Sequence, residues 1–200
     1  MSIRFIKCGL TNYAVSLIDM EIAKQAVLNG ERESIFIIEH ECMYSVGKSS
    51  KIEDFTKIPN IPLYYTNRGG RITVHSPGQI VIYPIINLKK RELSINNYVR
   101  ILEDWMICVL EKFGLHAKKS TKGVGVWMND VEKIGFVGIQ IEHGITSHGL
   151  CLNVSNDLSL FDAIVPCGIK RIHVTSMEKA LEKTPCVSDV IETFIANPPF

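Results

Sequence analysis

The residue best suited to nucleophilic chemistry is Cys167, which stands between Pro166 and Gly168. Proline and glycine on either side exclude the middle of a helix or strand, so we expect a turn with an accessible sulfur. A cysteine thiolate is both a good nucleophile and a good leaving group, which suits covalent catalysis. One cysteine among six has only a modest prior of being a nucleophile, and Cys167 is the best-placed candidate.

A second candidate is Lys133, at the start of an apolar and glycine-containing run that includes Phe136, Val137 and Gly138. A lysine that opens a strand is more often exposed to solvent than functional. Here the neighbouring glycines leave room for another group against the sheet, which strengthens the case for a functional lysine without making it the commoner outcome.

Two further segments are rich in glycine and histidine. One comprises Arg68, Gly69, Gly70, Arg71, Ile72, Thr73, Val74 and His75. Paired glycines let a backbone approach a ligand closely, although a plain turn with solvated arginines accounts for the spacing equally well. The other segment contains His148, Gly149, Leu150 and Cys151. Alternation predicts His148 and Leu150 on one face, and Gly149 and Cys151 on a face of small residues that could floor a pocket. Taken singly, His148 is more often structural and Cys151 is more often a small buried hydrophobe.

The elements that must position these residues follow from hydrophobic periodicity. We predict helices at residues 12–28, where Ala14, Leu17, Ile18, Ile22 and Ala26 recur at helical spacing, at 96–113, and at 188–196. Strands are predicted at residues 3–7, 34–39 and 79–86, where Pro84 suggests an edge strand or a bulge. An antiparallel meander is predicted at residues 124–128, 133–142 and 145–154, a capping box at 175–178, and a polar surface loop at 47–62. This mixture predicts an α/β (α+β) fold with a mixed or antiparallel sheet flanked by helices.

Composition narrows the class further. The 200 residues fit one catalytic domain spanning 1–200, and 46% are hydrophobic against 22% charged. A net charge of +1 offers no case for nucleic acid or a membrane surface as a partner. No secretory signal or membrane-length apolar run is visible, and scattered cysteines argue against zinc and disulfides. We therefore expect a cytoplasmic protein with reduced thiols and no metal.

Together these segments resemble the octanoyl-[acyl-carrier-protein]:protein N-octanoyltransferases, the lipoate-protein-ligase-B family. The resemblance rests on ordered motifs along most of the chain. They include Glu39-His40, Arg68-Gly69-Gly70 through His75, Pro77-Gly78-Gln79, Gly125-Val126-Trp127, Lys133-Ile134, His148-Gly149, Leu152-Asn153-Val154 and Pro166-Cys167-Gly168.

The resemblance implies a fold shared with biotin and lipoate protein ligases and an octanoyl thioester on Cys167. It implies that Lys133 favours the thiolate of that cysteine, and that substrate is contacted by the Arg68 to His75 segment, by Phe136, Val137 and Gly138, and by Gly149, Leu150 and Cys151. His75 and His148 are both candidates to share proton transfer, and the sequence does not rank them. Backbone N–H groups near Gly69 and Gly70 or near Gly149 could stabilise the oxyanion.

The implied donor is octanoyl-acyl carrier protein. The implied acceptors are lysines on lipoyl domains of 2-oxoacid dehydrogenase E2 subunits and on the glycine cleavage H protein. No cofactor is expected, because transfer from a thioester to an amide runs downhill without ATP. Ser76, Val74 and Cys151 depart from the family's usual glycine, tyrosine and alanine, which bears on the width of the acyl pocket.

Three other functions fit parts of the sequence. An ATP-dependent lipoate or biotin ligase would share the fold but would need no cysteine nucleophile. A non-catalytic binder of acylated carrier proteins would need neither Cys167 nor Lys133. A cysteine hydrolase would release free octanoate, whereas a transferase must exclude water until the acceptor arrives.

Overall fold

The computed structural model describes residues 3–57, 60–169 and 171–200, and it is built around one mixed sheet. The strands of this sheet lie in the order β1-β2-β6-β10-β9-β8-β7, and β11 pairs with β9. Their bounds are β1 Arg4–Thr11, β2 Ser34–His40, β6 Gln79–Ile85, β7 Lys118–Lys119, β8 Val126–Trp127, β9 Glu132–Glu142, β10 Ile145–Asn153 and β11 His173–Val174. A smaller sheet has the order β4-β3-β5, formed by β3 Met43–Val46, β4 Leu63–Tyr65 and β5 Thr73–His75.

Alternating residues of the central strand β6 face two separate apolar cores. Ile80 and Ile82 belong to the core shared with helices α2 (Ile95–Lys112) and α4 (Val187–Ala196). Val81 and Tyr83 belong to the core shared with helix α1 (Tyr13–Leu28) and the smaller sheet. The predicted mixed sheet flanked by helices is therefore confirmed. It follows from β6 carrying apolar side chains on both faces.

The predicted helices are confirmed, but two residues of the apolar stripe used to recognise α1 do not face the core. Ile18 and Ile22 are 61% and 63% exposed, whereas Tyr13 and Met20 are buried. The side chain of Asn12 accepts a hydrogen bond from the Ala14 N–H and caps the helix, as its residue type favours. The sheet therefore covers the face of α1 that carries Tyr13 and Met20, and the face that carries Ile18 and Ile22 is left exposed.

Of the two alternatives that Pro84 suggested, an edge strand or a bulge, the edge strand is wrong. β6 lies between β2 and β10, and Pro84 pairs in register with Ile35 of β2. The ladder from β6 to β10 ends at Ile82 and Leu150, before Pro84. The Thr146 hydroxyl then donates to the Pro84 carbonyl at 2.6 Å. A proline is tolerated here because the ladder to β10 is already interrupted.

The antiparallel meander is confirmed as β8, β9 and β10. The capping residue of the short helix α3 (Met177–Leu181) is Ser176, one position after the predicted Thr175. The backbone N–H of Thr175 instead donates a hydrogen bond to the carbonyl of Lys133 in β9, at 2.9 Å. The predicted loop at 47–62 contains a short 3-10 turn at Ile52–Asp54, and its residues 58 and 59 lie outside the described part.

Candidate active site

The structure brings together the two residues that the sequence singled out for chemistry. The Lys133 Nζ donates to the Cys167 Sγ at 3.1 Å, although the two residues are 34 positions apart in the chain. Lys133 is 0% exposed, and Cys167 is half-buried. An ammonium at this distance stabilises a thiolate by direct charge attraction and hydrogen bonding.

The Lys133 side chain is fixed on several sides. Its Nζ also donates to the Val124 carbonyl, and it lies 5.0 Å from the ring centroids of both Trp127 and Phe136. A Cβ placed on Gly125 would lie 2.6 Å from the Lys133 Cε, so only glycine fits against the lysine stem. Two aromatic faces and a carbonyl are favourable surroundings for a buried cation. The ammonium is thereby aimed at the sulfur before any substrate arrives.

Cys167 occupies the predicted turn, within a 3-10 segment at Pro166–Gly168. Its φ is 57° and its ψ is 9°, a left-handed conformation, and Gly168 follows with a φ of 66°. A non-glycine residue in this region costs about 1–2 kcal/mol. Such strain persists where surrounding contacts impose it, and it is often found at functional sites.

A cavity of 370 Å³ extends from Cys167 between the sheet and the 68–75 segment. The predicted site residues Gly69, Val74 and Lys133 do not line it, because Val74 lies in the core and Lys133 lies beneath the turn. The predicted residues that do line it are Arg68, Gly70, Arg71, Ile72, Thr73, His75, Phe136, Val137, Gly138, His148, Gly149, Leu150, Cys151 and Cys167. The four sequence segments therefore converge on one space.

The buried Arg68 holds the loop at residues 68–71 in place through hydrogen bonds. Its guanidinium donates to the Ser45 Oγ and carbonyl at 2.9 and 2.6 Å, and to the carbonyls of Gly69 and Arg71 at 3.0 and 2.8 Å. Burial lowers the pKa of Arg68 from its ordinary value. The hydrogen bonds to Ser45 anchor the loop to β3. Gly138 leaves room for the arginine, because a Cβ at that position would lie only 3.3 Å from the Arg68 Cδ.

Tyrosine and histidine rings line the other part of the cavity, and His40 packs behind them against the rings of His75 and Tyr83. The His40 Nδ1–H donates to the Thr11 carbonyl, so its Nε2 accepts from the Tyr83 hydroxyl, both at 2.9 Å. Burial lowers the pKa of His40 to about 4 and that of His148 to about 3. The pKa of His75 is also held well below its ordinary value by burial. These three rings are neutral at pH 7.

Hydrogen bonding assigns the tautomer of His75. Gln79 donates its amide N–H groups to the Asn153 Oδ1 at 2.8 Å and to the Val74 carbonyl at 3.3 Å. Its Oε1 therefore accepts from the His75 Nδ1, 2.5 Å away. The His75 Nε2 is consequently unprotonated and available as an acceptor.

The expected alternation fails at His148. Its φ of 54° breaks the regular strand, and its ring contacts the Tyr83 ring edge-on at 5.8 Å, within the core that contains Cys151. Leu150 belongs to the opposite core. Within the described part of the chain, the His148 Nδ1 is buried without a hydrogen-bond partner. The buried Cys151 thiol has its pKa raised to about 12 by desolvation, so it remains a neutral part of the wall.

Several cavity residues were not predicted as site residues from the sequence. Tyr13 and Tyr83 are recognisable only once α1 and β6 are placed, and Ser49 comes from the predicted surface loop. The remaining unpredicted lining residues are Val81, Lys122, Gly123, Val124 and Ile169. Neither tyrosine has a local motif that distinguishes it from a core aromatic residue.

The lysines at positions 118, 119 and 122 form a basic cluster, and two of them are paired with carboxylates. Lys118 contacts Asp130 at 2.7 Å and Lys119 contacts Asp104 at 2.6 Å.

Among residues 3–57, 60–169 and 171–200, no cluster of three or more histidine, cysteine or acidic side chains is arranged to hold a metal ion. In the same part of the chain, no helix is both long and apolar enough to cross a membrane.

Comparison with known proteins shows which family the chain belongs to. The family model for the lipoyl protein ligase A/B catalytic domain matches residues 12–197. The chain belongs to this family. An octanoyltransferase of Sphingopyxis alaskensis is 40% identical over 187 residues, covering 91% of this chain and 85% of that protein. An octanoyltransferase of Rickettsia canadensis is 38% identical over 178 residues, covering 86% and 85%.

Solved structures share the fold at low sequence identity. A lipoate-protein ligase A bound with ATP superposes with a TM-score of 0.76 at 16% identity, covering 98% of this chain and 83% of the other. A biotin protein ligase from Aquifex aeolicus, in complex with biotin and ATP, gives a TM-score of 0.60 at 15% identity, covering 96% and 67%. The expected fold, shared with lipoate and biotin protein ligases, is confirmed.

Proposed function

We propose that this acyltransferase, acting as one catalytic domain, takes an octanoyl group from octanoyl-acyl carrier protein and holds it as a thioester on Cys167. It then passes the group to a lysine of a lipoyl-carrying protein. The observation that carries the proposal is the 3.1 Å contact between the Lys133 Nζ and the Cys167 Sγ at the cavity wall. The octanoyltransferases that share about two fifths of its sequence support the choice of acyl group.

In the first half-reaction, the Cys167 thiolate attacks the thioester carbonyl and the carrier's thiolate leaves. In the second half-reaction, the neutral amine of the acceptor attacks the Cys167 thioester, sulfur leaves, and an amide forms. Lys133, after giving up its proton to the departing carrier thiol, is placed to receive one from the attacking amine. No ATP enters this sequence, because the first step exchanges one thioester for another and the second converts a thioester into a more stable amide.

The tetrahedral oxyanion formed in each step needs a hydrogen-bond donor. The Gly69 N–H already donates to the Ile139 carbonyl at 2.7 Å. The neighbouring Gly70 lines the cavity, has a φ of 80°, and keeps its N–H unbonded within the described chain. We therefore favour Gly70 over Gly69 as the donor, since a preorganised N–H costs no rearrangement during reaction.

Proton transfer favours His75 over His148 as a partner of Lys133. The Gln79 side-chain carbonyl fixes the His75 ring and leaves its Nε2 as an acceptor, whereas no described residue bonds the His148 Nδ1 to orient that ring. The acyl tail would lie along the apolar wall formed by Phe136, Val137 and Leu150. Burying six methylenes contributes about 5 kcal/mol at about 0.8 kcal/mol each.

The proposed acceptors are the lipoyl domains of 2-oxoacid dehydrogenase E2 subunits and the glycine cleavage H protein, and the proposed compartment is the cytoplasm. These assignments rest on the resemblance to octanoyltransferases and on the chemistry of the products. No cofactor is required by the proposed reaction.

Intact-protein mass spectrometry after mixing with octanoyl-carrier protein tests the proposal. The unaltered protein should gain one octanoyl group, and Cys167→Ser should gain none. The matched control Cys42→Ser removes an exposed thiol outside the cavity and should still be acylated. An octanoyl adduct that survives in Cys167→Ser would refute the nucleophile.

A second arm separates transfer from ligation. Octanoate with ATP, in the absence of a carrier-bound donor, should give no octanoylated lipoyl domain. Product formed under those conditions would identify an ATP-dependent ligase, the activity of several proteins with this fold.

A further inference from the structure

We infer that Asp54 and Arg71 are positioning residues that hold the strained Cys167 turn so that its sulfur meets Lys133. The inference rests on the proposed role of Cys167. It adds Asp54 to the site and changes Arg71 from a predicted substrate contact to a residue that never needs to touch the reacting atoms. Their ion pair joins the 47–57 segment to the nucleophile turn, with the Arg71 Nη1 lying 2.6 Å from the Asp54 Oδ1.

Asp54 is the anchor of this arrangement. Its side chain is 2% exposed, and its second carboxylate oxygen accepts from the Lys51 N–H at 2.8 Å. Its backbone carbonyl accepts from the Val165 N–H at 2.7 Å, two residues before Cys167. A carboxylate that is buried and bonded through both oxygens is held in one orientation. Asp54 therefore fixes the start of the nucleophile turn and the direction of Arg71 together.

Pairing between the two segments continues beyond Asp54. Phe55 forms a β-bridge with Ile164, and the Thr56 N–H donates to the Ala163 carbonyl at 2.9 Å. Three consecutive residues of one segment thus hold the chain that leads into the turn. The turn itself is closed by the Gly168 N–H, which donates to the Val165 carbonyl at 2.9 Å.

Arg71 supports the other side of the turn. A Cβ placed on Gly168 would lie 2.4 Å from the Arg71 Cζ, so the guanidinium lies directly against the Gly168 backbone. Arg71 is 31% exposed and lines the cavity, yet its charge is already opposed by Asp54. The Arg71 guanidinium therefore contacts the turn and already has a counter-charge, so it needs no anion on the substrate to balance its charge.

Strain explains why the turn needs this support. Cys167 and Gly168 are consecutive left-handed residues, and the cysteine has no intrinsic preference for that conformation. Without Arg71 the cysteine could relax toward an extended backbone, which would swing the sulfur away from the Lys133 ammonium. A displacement of about 1 Å can lower a reaction rate by about 100-fold.

The test uses single-turnover acylation of the full chain by S-octanoyl-N-acetylcysteamine, a small thioester with no phosphate and no carrier protein. Arg71→Ala should lower the maximal acylation rate by about 10- to 100-fold and leave the half-saturating concentration within about twofold. Asp54→Asn should act in the same direction. Arg71→Lys should recover part of the rate, because an ammonium can pair with Asp54 but cannot lie flat against Gly168.

The matched control is Arg91→Ala, which removes an arginine paired with Glu33 at 2.6 Å away from the cavity. It should leave the acylation rate unchanged. A loss in Arg91→Ala equal to that in Arg71→Ala would show general destabilisation and overturn the inference. A rise in the half-saturating concentration alone would make Arg71 a substrate contact, which also overturns it.

Gly168→Ala adds a test of the contact itself. The new methyl group should slow acylation more in the unaltered background than in Arg71→Ala, since removing the guanidinium makes space for it. Equal losses in both backgrounds would mean that Arg71 does not press on the turn.

Iodoacetamide alkylation of Cys167 separates this inference from the proposed function, because it needs no acyl donor. Arg71→Ala should slow alkylation at pH 7 by about 5- to 30-fold as the thiolate loses its ammonium. An Arg71→Ala protein that is alkylated as fast as the unaltered protein would refute the positioning role, even if the unaltered protein is acylated as proposed. Conversely, slowed alkylation with no octanoyl adduct on the unaltered protein would refute the proposed function and leave the positioning role standing.

Discussion

Replacement of Lys133 by methionine tests the central contact of the site. Methionine keeps most of the buried stem and removes the ammonium that lies 3.1 Å from the Cys167 sulfur. At that separation two unit charges attract by about 5 kcal/mol at an effective dielectric constant near 20, and by about 1 kcal/mol in water. The cost of burying the lysine reduces the net effect below the larger of these two figures.

The ionised fraction limits how large the effect can be. An ordinary cysteine thiol has a pKa near 8.5 and is about 3% ionised at pH 7, so full ionisation increases the reactive fraction by about 30-fold. Lys133→Met should therefore slow iodoacetamide alkylation of Cys167 by about 10- to 30-fold at pH 7. At pH 10 the two proteins should react at similar rates, because an ordinary thiol is then ionised without help.

Two references make the measurement specific. Cys42 is exposed, and its alkylation in the same sample reports the chemical rate of an unassisted thiol. Lys24→Met removes another buried lysine, one paired with Glu21 and Glu142, and should leave Cys167 unaffected. Equal alkylation of Cys167 in Lys133→Met and the unaltered protein across pH 6–9 would refute the role assigned to the ammonium.

The remaining predictions concern the cavity wall and the buried histidines. Cys151→Leu adds bulk to the acyl cavity and should lower kcat/KM for octanoyl relative to hexanoyl donors by about 10-fold, measured by competition; an unchanged ratio would place the tail elsewhere. Gly149→Ala would put its Cβ 2.2 Å from a backbone carbonyl and should destabilise the fold by more than about 2 kcal/mol in urea unfolding, whereas Gly30→Ala, with open space around it and only a positive φ, should cost about 1 kcal/mol. The low pKa values of His40 (about 4) and His148 (about 3) mean that the unfolded chain binds more protons below pH 6.5; the free energy of unfolding should therefore fall by about 1 kcal/mol per histidine per pH unit between pH 6.5 and 5, and a flat profile would contradict their neutral burial.

Local patterns in the sequence predicted most elements and the principal chemical residues. The run at residues 34–39 is apolar on both faces, and it forms the buried strand β2. Pro166 and Gly168 predicted a turn around Cys167, and the structure has one. These features are predictable because they depend on backbone chemistry within a few residues.

Features that depend on distant neighbours were not predictable. Asp54 reads as one more charged residue in a polar loop, yet it is buried because segments 163–165 and Arg71 close over it. Ile18 and Ile22 read as a core stripe but are exposed, since the sheet covers the opposite side of α1. His148 reads as a regular strand residue, and its left-handed backbone arises where the ladder between two strands is interrupted.

The sequence by itself determined the chemical types at the site, which are a thiol on a turn, a lysine at a strand start, and glycines that allow close approach. Only the tertiary structure decided that the amine of Lys133 meets the sulfur of Cys167, and that Arg71 turns toward Asp54. The physical reason is one of range. Propensity and turn chemistry act over a few residues, whereas the distance between two side chains far apart in the chain is set by how β9, the sheet and the connecting loops pack together.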